Sequence, residues 1–92
     1  MAVIDIVRRH SLDHDHAIEV ANRLARTMAK EYHLRSEWNG DTLHCHRAGV
    51  HGEVTVRPTE IRVHLQLGFL LRPLKGRIER EIEDQLDEIV SG

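Results

Sequence analysis

Eight histidines and 15 carboxylates in 92 residues are the first chemistry the chain offers, because imidazole titrates near neutrality and binds transition metals. The densest cluster is His44-Cys45-His46. Side chains alternate across a strand, so His44 and His46 share one face, Cys45 takes the other, and the three cannot meet on one ion. Cys45, with Leu43, is expected in the core as a small apolar residue. His14-Asp15-His16 has i, i+2 spacing near a helix start, which keeps the two imidazoles apart. A wider set comprises His44, His46, Glu53, Thr55, Arg57, Arg62, His64 and Gln66, all expected on one outward sheet face. Within it His44, His46 and Glu53 are the candidate ligands of a metal or hydrolytic site. The plainer reading, a solvated polar face, is preferred, because an intervening strand sets His64 roughly 9–10 Å from His44 or His46. No metal or other cofactor is therefore expected.

Other catalytic patterns are missing. The chain has no Gly-rich phosphate loop, no H-E-x-x-H, no C-x-x-C and no G-x-S-x-G. Ser11 reads as a helix cap, Ser36 as the start of a strand and Ser91 as tail, so none has a nucleophile's setting. A non-enzymatic protein is expected.

These side chains must be positioned by a small set of elements. Residues 2–9 are rich in β-branched side chains and read as a first strand. Ser11 is the expected N-cap of a helix from Leu12 to about His33, with Asp13 and Asp15 in its first turn and an apolar stripe of Ala17, Ile18, Ala21, Leu24, Ala25, Met28 and Tyr32. Asn39-Gly40 marks a hairpin turn, and Thr42–Arg47 is its second strand. Ala48 to Gly52 is the next reversal, Glu53 to Arg57 a further strand, and Ile61 to Leu67 the last. In that strand Ile61, Val63, Leu65 and Leu67 face the core, leaving Arg62, His64 and Gln66 outward. A hinge from Gly68 to Gly76 leads into a closing helix with Leu74, Ile78, Ile82, Leu86 and Ile89 on one stripe. The order β-α-β-β-β-β-α predicts a single α+β domain over residues 1–92. Its two layers are a curved antiparallel sheet of about five strands, in order 2-3-4-5-1, and two helices on one face, a small helix-grip-like arrangement.

The hinge is the most informative segment for binding. Leu67-Gly68-Phe69-Leu70-Leu71-Arg72-Pro73-Leu74-Lys75-Gly76 packs large apolar residues around a glycine without amphipathic spacing. Its simplest role is to seal one end of the core with Phe69 and Leu71. The alternative is a surface patch in which Leu70 and Leu71 project beside Arg72 and Lys75, so Phe69, Leu70, Leu71, Arg72, Leu74 and Lys75 become docking candidates. A second possibility is an internal pocket lined by Leu24, Met28, Leu65 and Phe69, where Ala17, Ala21 and Ala25 leave room for an acyl chain or other apolar ligand. The closing helix begins basic (Lys75, Arg77, Arg80) and ends acidic, the reverse of what its dipole favours.

A formal charge of −2 and three aromatics argue against a nucleic-acid partner. No run approaches the roughly 20 apolar residues of a membrane span. A lone cysteine in so short a chain points to the cytoplasm. The strand after the first helix lies at a sheet edge; pairing there would make a homodimer, although Arg35 and Glu37 oppose it, and otherwise the chain is a monomer.

Read together, several short motifs resemble one family. They are Arg9-His10-Ser11-Leu12 before the alanine-rich helix, Trp38 and Gly40-Asp41 at the hairpin, Gly49 and Gly52, Leu67-Gly68-Phe69-Leu70-Leu71, and Leu74-Lys75-Gly76 leading into Ile78-Glu79 and Glu81-Ile82. In order and spacing they are similar to the polyhydroxyalkanoic acid system proteins, small bacterial proteins associated with polyester storage granules. The resemblance spans nearly the whole chain and does not include the sheet histidines. It implies a cytoplasmic protein whose partner is the granule surface or a granule protein, without a transferable reaction.

Overall fold

A computed structural model describes residues 2–91, and the side-chain surroundings of residues 2–88. The elements are β1 (Ala2–Arg9), α1 (His14–Tyr32), β2 (Arg35–Asn39), β3 (Thr42–Arg47), β4 (Val50–Val56), β5 (Glu60–Leu67), a 3-10 helix (Phe69–Leu74) and α2 (Lys75–Ser91). The five strands form one antiparallel sheet ordered β1-β5-β4-β3-β2, the expected order read from the other end. Period-two burial explains why both helices lie on one side. Ile61, Val63, Leu65 and Leu67 are buried, and Ile4, Ile6, Leu43, Cys45, Val54 and Val56 complete that apolar face. Over it pack Ala17, Val20, Ala21, Leu24, Ala25 and Met28 of α1, and Ile78, Ile82 and Leu86 of α2. Ile89, expected on the same stripe, lies outside the described side chains.

Several boundaries differ from the sequence-based expectation, each for a local reason. Helix α1 is capped by Asp13 rather than Ser11: the Asp13 carboxylate accepts from the His16 backbone N–H at 2.9 Å. Residues 10–12 are held out of the helix by His10. Its ring accepts the Leu12 N–H on Nδ1 at 3.1 Å and donates from Nε2 to the Arg57 carbonyl at 2.9 Å, the neutral tautomer, while its backbone N–H reaches the Thr59 carbonyl. The stripe of α1 includes Val20, which the spacing argument omitted, whereas Ile18 and Tyr32 are only partly buried. Gly40-Asp41 forms the first hairpin turn, with Asn39 paired to Thr42 inside the ladder. The second reversal is tighter than expected. Only Ala48-Gly49 turns, with Gly49 at φ 84°, and β4 begins at Val50 instead of Glu53.

The helices are tied to the sheet and to each other by polar contacts. Arg8 meets Asp87 at 2.8 Å and Glu83 at 3.5 Å, Trp38 donates to Asn22 at 2.9 Å, and Tyr32 donates to Glu81 at 2.9 Å. Burial, with Glu81 alongside, pushes the Tyr32 phenol up to about 12.

His10 is 9% exposed and is the only buried polar residue among the described side chains. Its replacement by Ala leaves the Arg57 carbonyl and Leu12 N–H unpaired, at a cost of about 1–3 kcal/mol. Thermal unfolding of His10→Ala is expected to show a fall of about 4–8 °C in Tm for each kcal/mol lost; an unchanged Tm would remove this staple from the account.

Candidate functional site

Two surfaces carry the residues singled out above. The first is the open face of the sheet. Strand register aligns Glu37, His44, Glu53, His64 and Asp5 in one row across all five strands, acid alternating with imidazole. His44 Nδ1 stands 3.6 Å from Glu53 Oε1, and His64 Nδ1 stands 3.9 Å from Asp5 Oδ2. The latter distance is too long for a hydrogen bond, and the His64 Nδ1 atom is buried without a partner. In the adjacent row His46 pairs with His51. Thus the structure keeps His44, His46, Glu53 and His64 on one face, as expected, and adds His51 to it. A hollow there is lined by His44, His51, Glu53, His64 and Gln66, without His46. Among the described residues no three His, Cys, Asp or Glu side chains are arranged to hold a metal ion.

His51 escaped the sequence reading because Ala48 to Gly52 was assigned to a reversal. A usable signal was present: Val50, Gly52, Val54 and Val56 repeat at spacing two and define the inward face of β4. Cys45 is buried, and burial pushes its thiol up, which keeps it protonated and unreactive. The strongest pair on the open face is Asp5 with Arg62. Arg62 donates from Nε at 3.1 Å and Nη2 at 2.9 Å, and these bonds hold the Asp5 carboxyl below its ordinary value.

The second surface is the 3-10 helix between β5 and α2. Its geometry begins with two glycines. The Gly68 N–H donates to the Gly49 carbonyl at 2.7 Å, and the Gly68 carbonyl accepts from Leu71 and Arg72, each at 3.1 Å. A Cβ on Gly68 would lie 2.9 Å from the Gly49 oxygen, so only glycine fits without a backbone shift. The tight turn has three residues per revolution, which sends Leu71 and Leu74 to one side. Both pack partly buried against the core, and Phe69, Leu70, Arg72 and Pro73 face out. Phe69 is 83% and Leu70 87% exposed. The expectation that Phe69 seals the core is therefore corrected: a period of three, not two, puts Leu71 and Leu74 in that role. The paired projection of Leu70 and Leu71 is corrected for the same reason.

The expected pocket is likewise altered. Leu24, Met28 and Leu65 do line a void, together with Ala25, Cys45, Gly52 and Val63, but Phe69 is not part of it. Its volume is about 20 Å³, room for a single water, against roughly 300–1,000 Å³ for a small-molecule site.

These features define a two-layer α+β protein with a charge-paired open sheet and one anchored, outward-facing apolar turn. The chain belongs to the family described as "putative polyhydroxyalkanoic acid system protein", whose model matches residues 4–90. Among solved structures, the NMR structure of PA4090 from Pseudomonas aeruginosa is similar, with a TM-score of 0.61 at 12% identity over 100% of this chain and 88% of that one. At that identity the likeness concerns the fold. No curated protein matches the chain. Among the described residues no helix is long and apolar enough to cross a membrane.

Two variants check the geometry. Because the folded Asp5 value is the depressed one, the Arg62 pair contributes fully above the ordinary 3.8 and is lost as pH falls through the depressed value. The Tm difference between wild type and Asp5→Asn is expected at neutral pH and should shrink as pH is lowered below 3.8; a difference that stays constant has another source. Gly68→Ala is expected to cost about 1–3 kcal/mol in urea unfolding through the enforced shift, and a neutral result would contradict the close approach.

Proposed function

We propose that the protein is a non-enzymatic, cytoplasmic component of polyester storage that docks on the granule through the Phe69–Leu74 turn. The observation carrying this reading is the exposure of Phe69 and Leu70 side by side on a turn anchored by Gly68. Large apolar side chains standing clear of a small domain are often functional, and burying two of them contributes about 3–6 kcal/mol. Leu71 and Leu74 support the turn from beneath, and Arg72 and Lys75 border it. Membership of the polyhydroxyalkanoic acid system family supports a storage-polyester granule as the apolar target.

The carrier reading loses support from the void beneath α1, which at about 20 Å³ has no room for an acyl chain without repacking Leu24, Met28 or Leu65. A hydrolytic or metal-based reading draws little from the sheet face, where His44 Nδ1 and Glu53 Oε1 stand 3.6 Å apart and, among the described residues, no third ligand joins them to hold a metal ion.

Sedimentation with isolated granules tests the proposal. Wild type is expected in the granule pellet. Phe69→Ser combined with Leu70→Ser alters only exposed side chains, should change stability by no more than about 0.5 kcal/mol per site, and should move the protein to the supernatant. Wild type in the supernatant, or an unaffected double variant, sinks the docking role.

A further inference from the structure

We infer that the layer met by this turn is an anionic phospholipid surface rather than bare polymer, an inference that rests on the docking reading above. Between Phe69 and Arg80 the chain carries four cations, Arg72, Lys75, Arg77 and Arg80, against one carboxylate, Glu79, in a protein whose net charge is −2. All four cations are exposed. Arg72 lines the same shallow hollow as Phe69, Leu70 and Pro73. No carboxylate of the described residues lies within ion-pair distance of Arg72 or Arg80, Lys75 meets the half-buried Glu79 at 3.8 Å, and Arg77 lies near Glu81.

A polyester of hydroxy acids offers ester carbonyls and no formal charge along its length, so it gives the apolar pair a target but leaves the cations without one. A phospholipid layer matches both parts. Acyl chains take up Phe69 and Leu70, while headgroup phosphates accept from Arg72 and Lys75. Phe69 and Leu70 are 83% and 87% exposed, which leaves both side chains free to enter a fluid layer.

Co-flotation with vesicles separates the possibilities. The full-length protein is expected to float with vesicles of equal parts phosphatidylglycerol and phosphatidylcholine and to stay behind with phosphatidylcholine alone. At low salt each cation near such a surface strengthens binding about fivefold, so Arg72→Gln with Lys75→Gln should weaken it about 25-fold, and added salt should act in the same direction. Phe69→Ser with Leu70→Ser should abolish flotation. Equal retention on phosphatidylcholine overturns the charge argument. Sedimentation with granules but no flotation on either vesicle overturns the lipid assignment and leaves docking on polymer or a granule protein standing. Absence from both granules and vesicles removes the docking reading itself.

Discussion

The contact on which the functional surface depends is the approach of Gly68 to Gly49. There the Gly68 N–H meets the Gly49 carbonyl at 2.7 Å, one step beyond the Val50–Leu67 pair in the β4–β5 register, and β5 ends at this last rung. Both participants must be glycine for different reasons: Gly49 adopts a positive φ of 84°, and Gly68 has no space for a Cβ. Once the strand is stopped, the Gly68 carbonyl collects two N–H groups and winds the next residues into a three-residue period. That period decides which leucines are structural and which are presented. The motif that resembled a polyester-storage family is thus, at its glycines, a device for holding an apolar turn outward.

The open sheet face illustrates the opposite outcome, where reactive residue types are absorbed by structure. Acid and imidazole alternate along the Glu37–His44–Glu53–His64–Asp5 row, so each strand meets a complementary neighbour across the ladder. The closest pair on this face is diagonal: Arg62, across from Val7, occupies both oxygens of Asp5, while the His64 Nδ1 across from Asp5 is left without a partner. Three histidines line one hollow, and among the described residues no three His, Cys, Asp or Glu side chains are arranged to hold a metal ion.

Much of this was legible from residue order. The alternation in Ile61 to Leu67 is a strict period of two, and it placed the core, both helices and the polar face correctly, because a one-residue slip would have exposed four large apolar side chains. The strand order followed from an antiparallel meander closing on β1. What escaped were features set by backbone contacts far apart in sequence. The helix cap moved to Asp13 because His10 is engaged by Arg57, 47 residues away. The face of His51 depended on where a glycine turn began. The direction of Phe69 depended on a 3-10 period that neither strand nor helix templates contain, started by a contact between residues 49 and 68.

Helix α2 adds a physical reason to regard the turn and its cations as one unit. Positive side chains at a helix N-terminus oppose the dipole, by about 0.3–1 kcal/mol for each one close to the end, and the acidic residues of its later half oppose it again. The dipole therefore does not account for Lys75, Arg77 and Arg80 at this position, although Lys75 meets Glu79 at 3.8 Å and Arg77 lies near Glu81 and favours its ionised form. The helix forms regardless, because Ile78, Ile82 and Leu86 are almost completely buried and each contributes about 1.5–3 kcal/mol on leaving water. The apolar stripe thus tolerates a charge order that opposes the dipole and that the Lys75–Glu79 pair offsets only in part. In sequence these cations follow directly on the exposed Phe69 and Leu70, so the apolar tip and the basic segment share one stretch of surface.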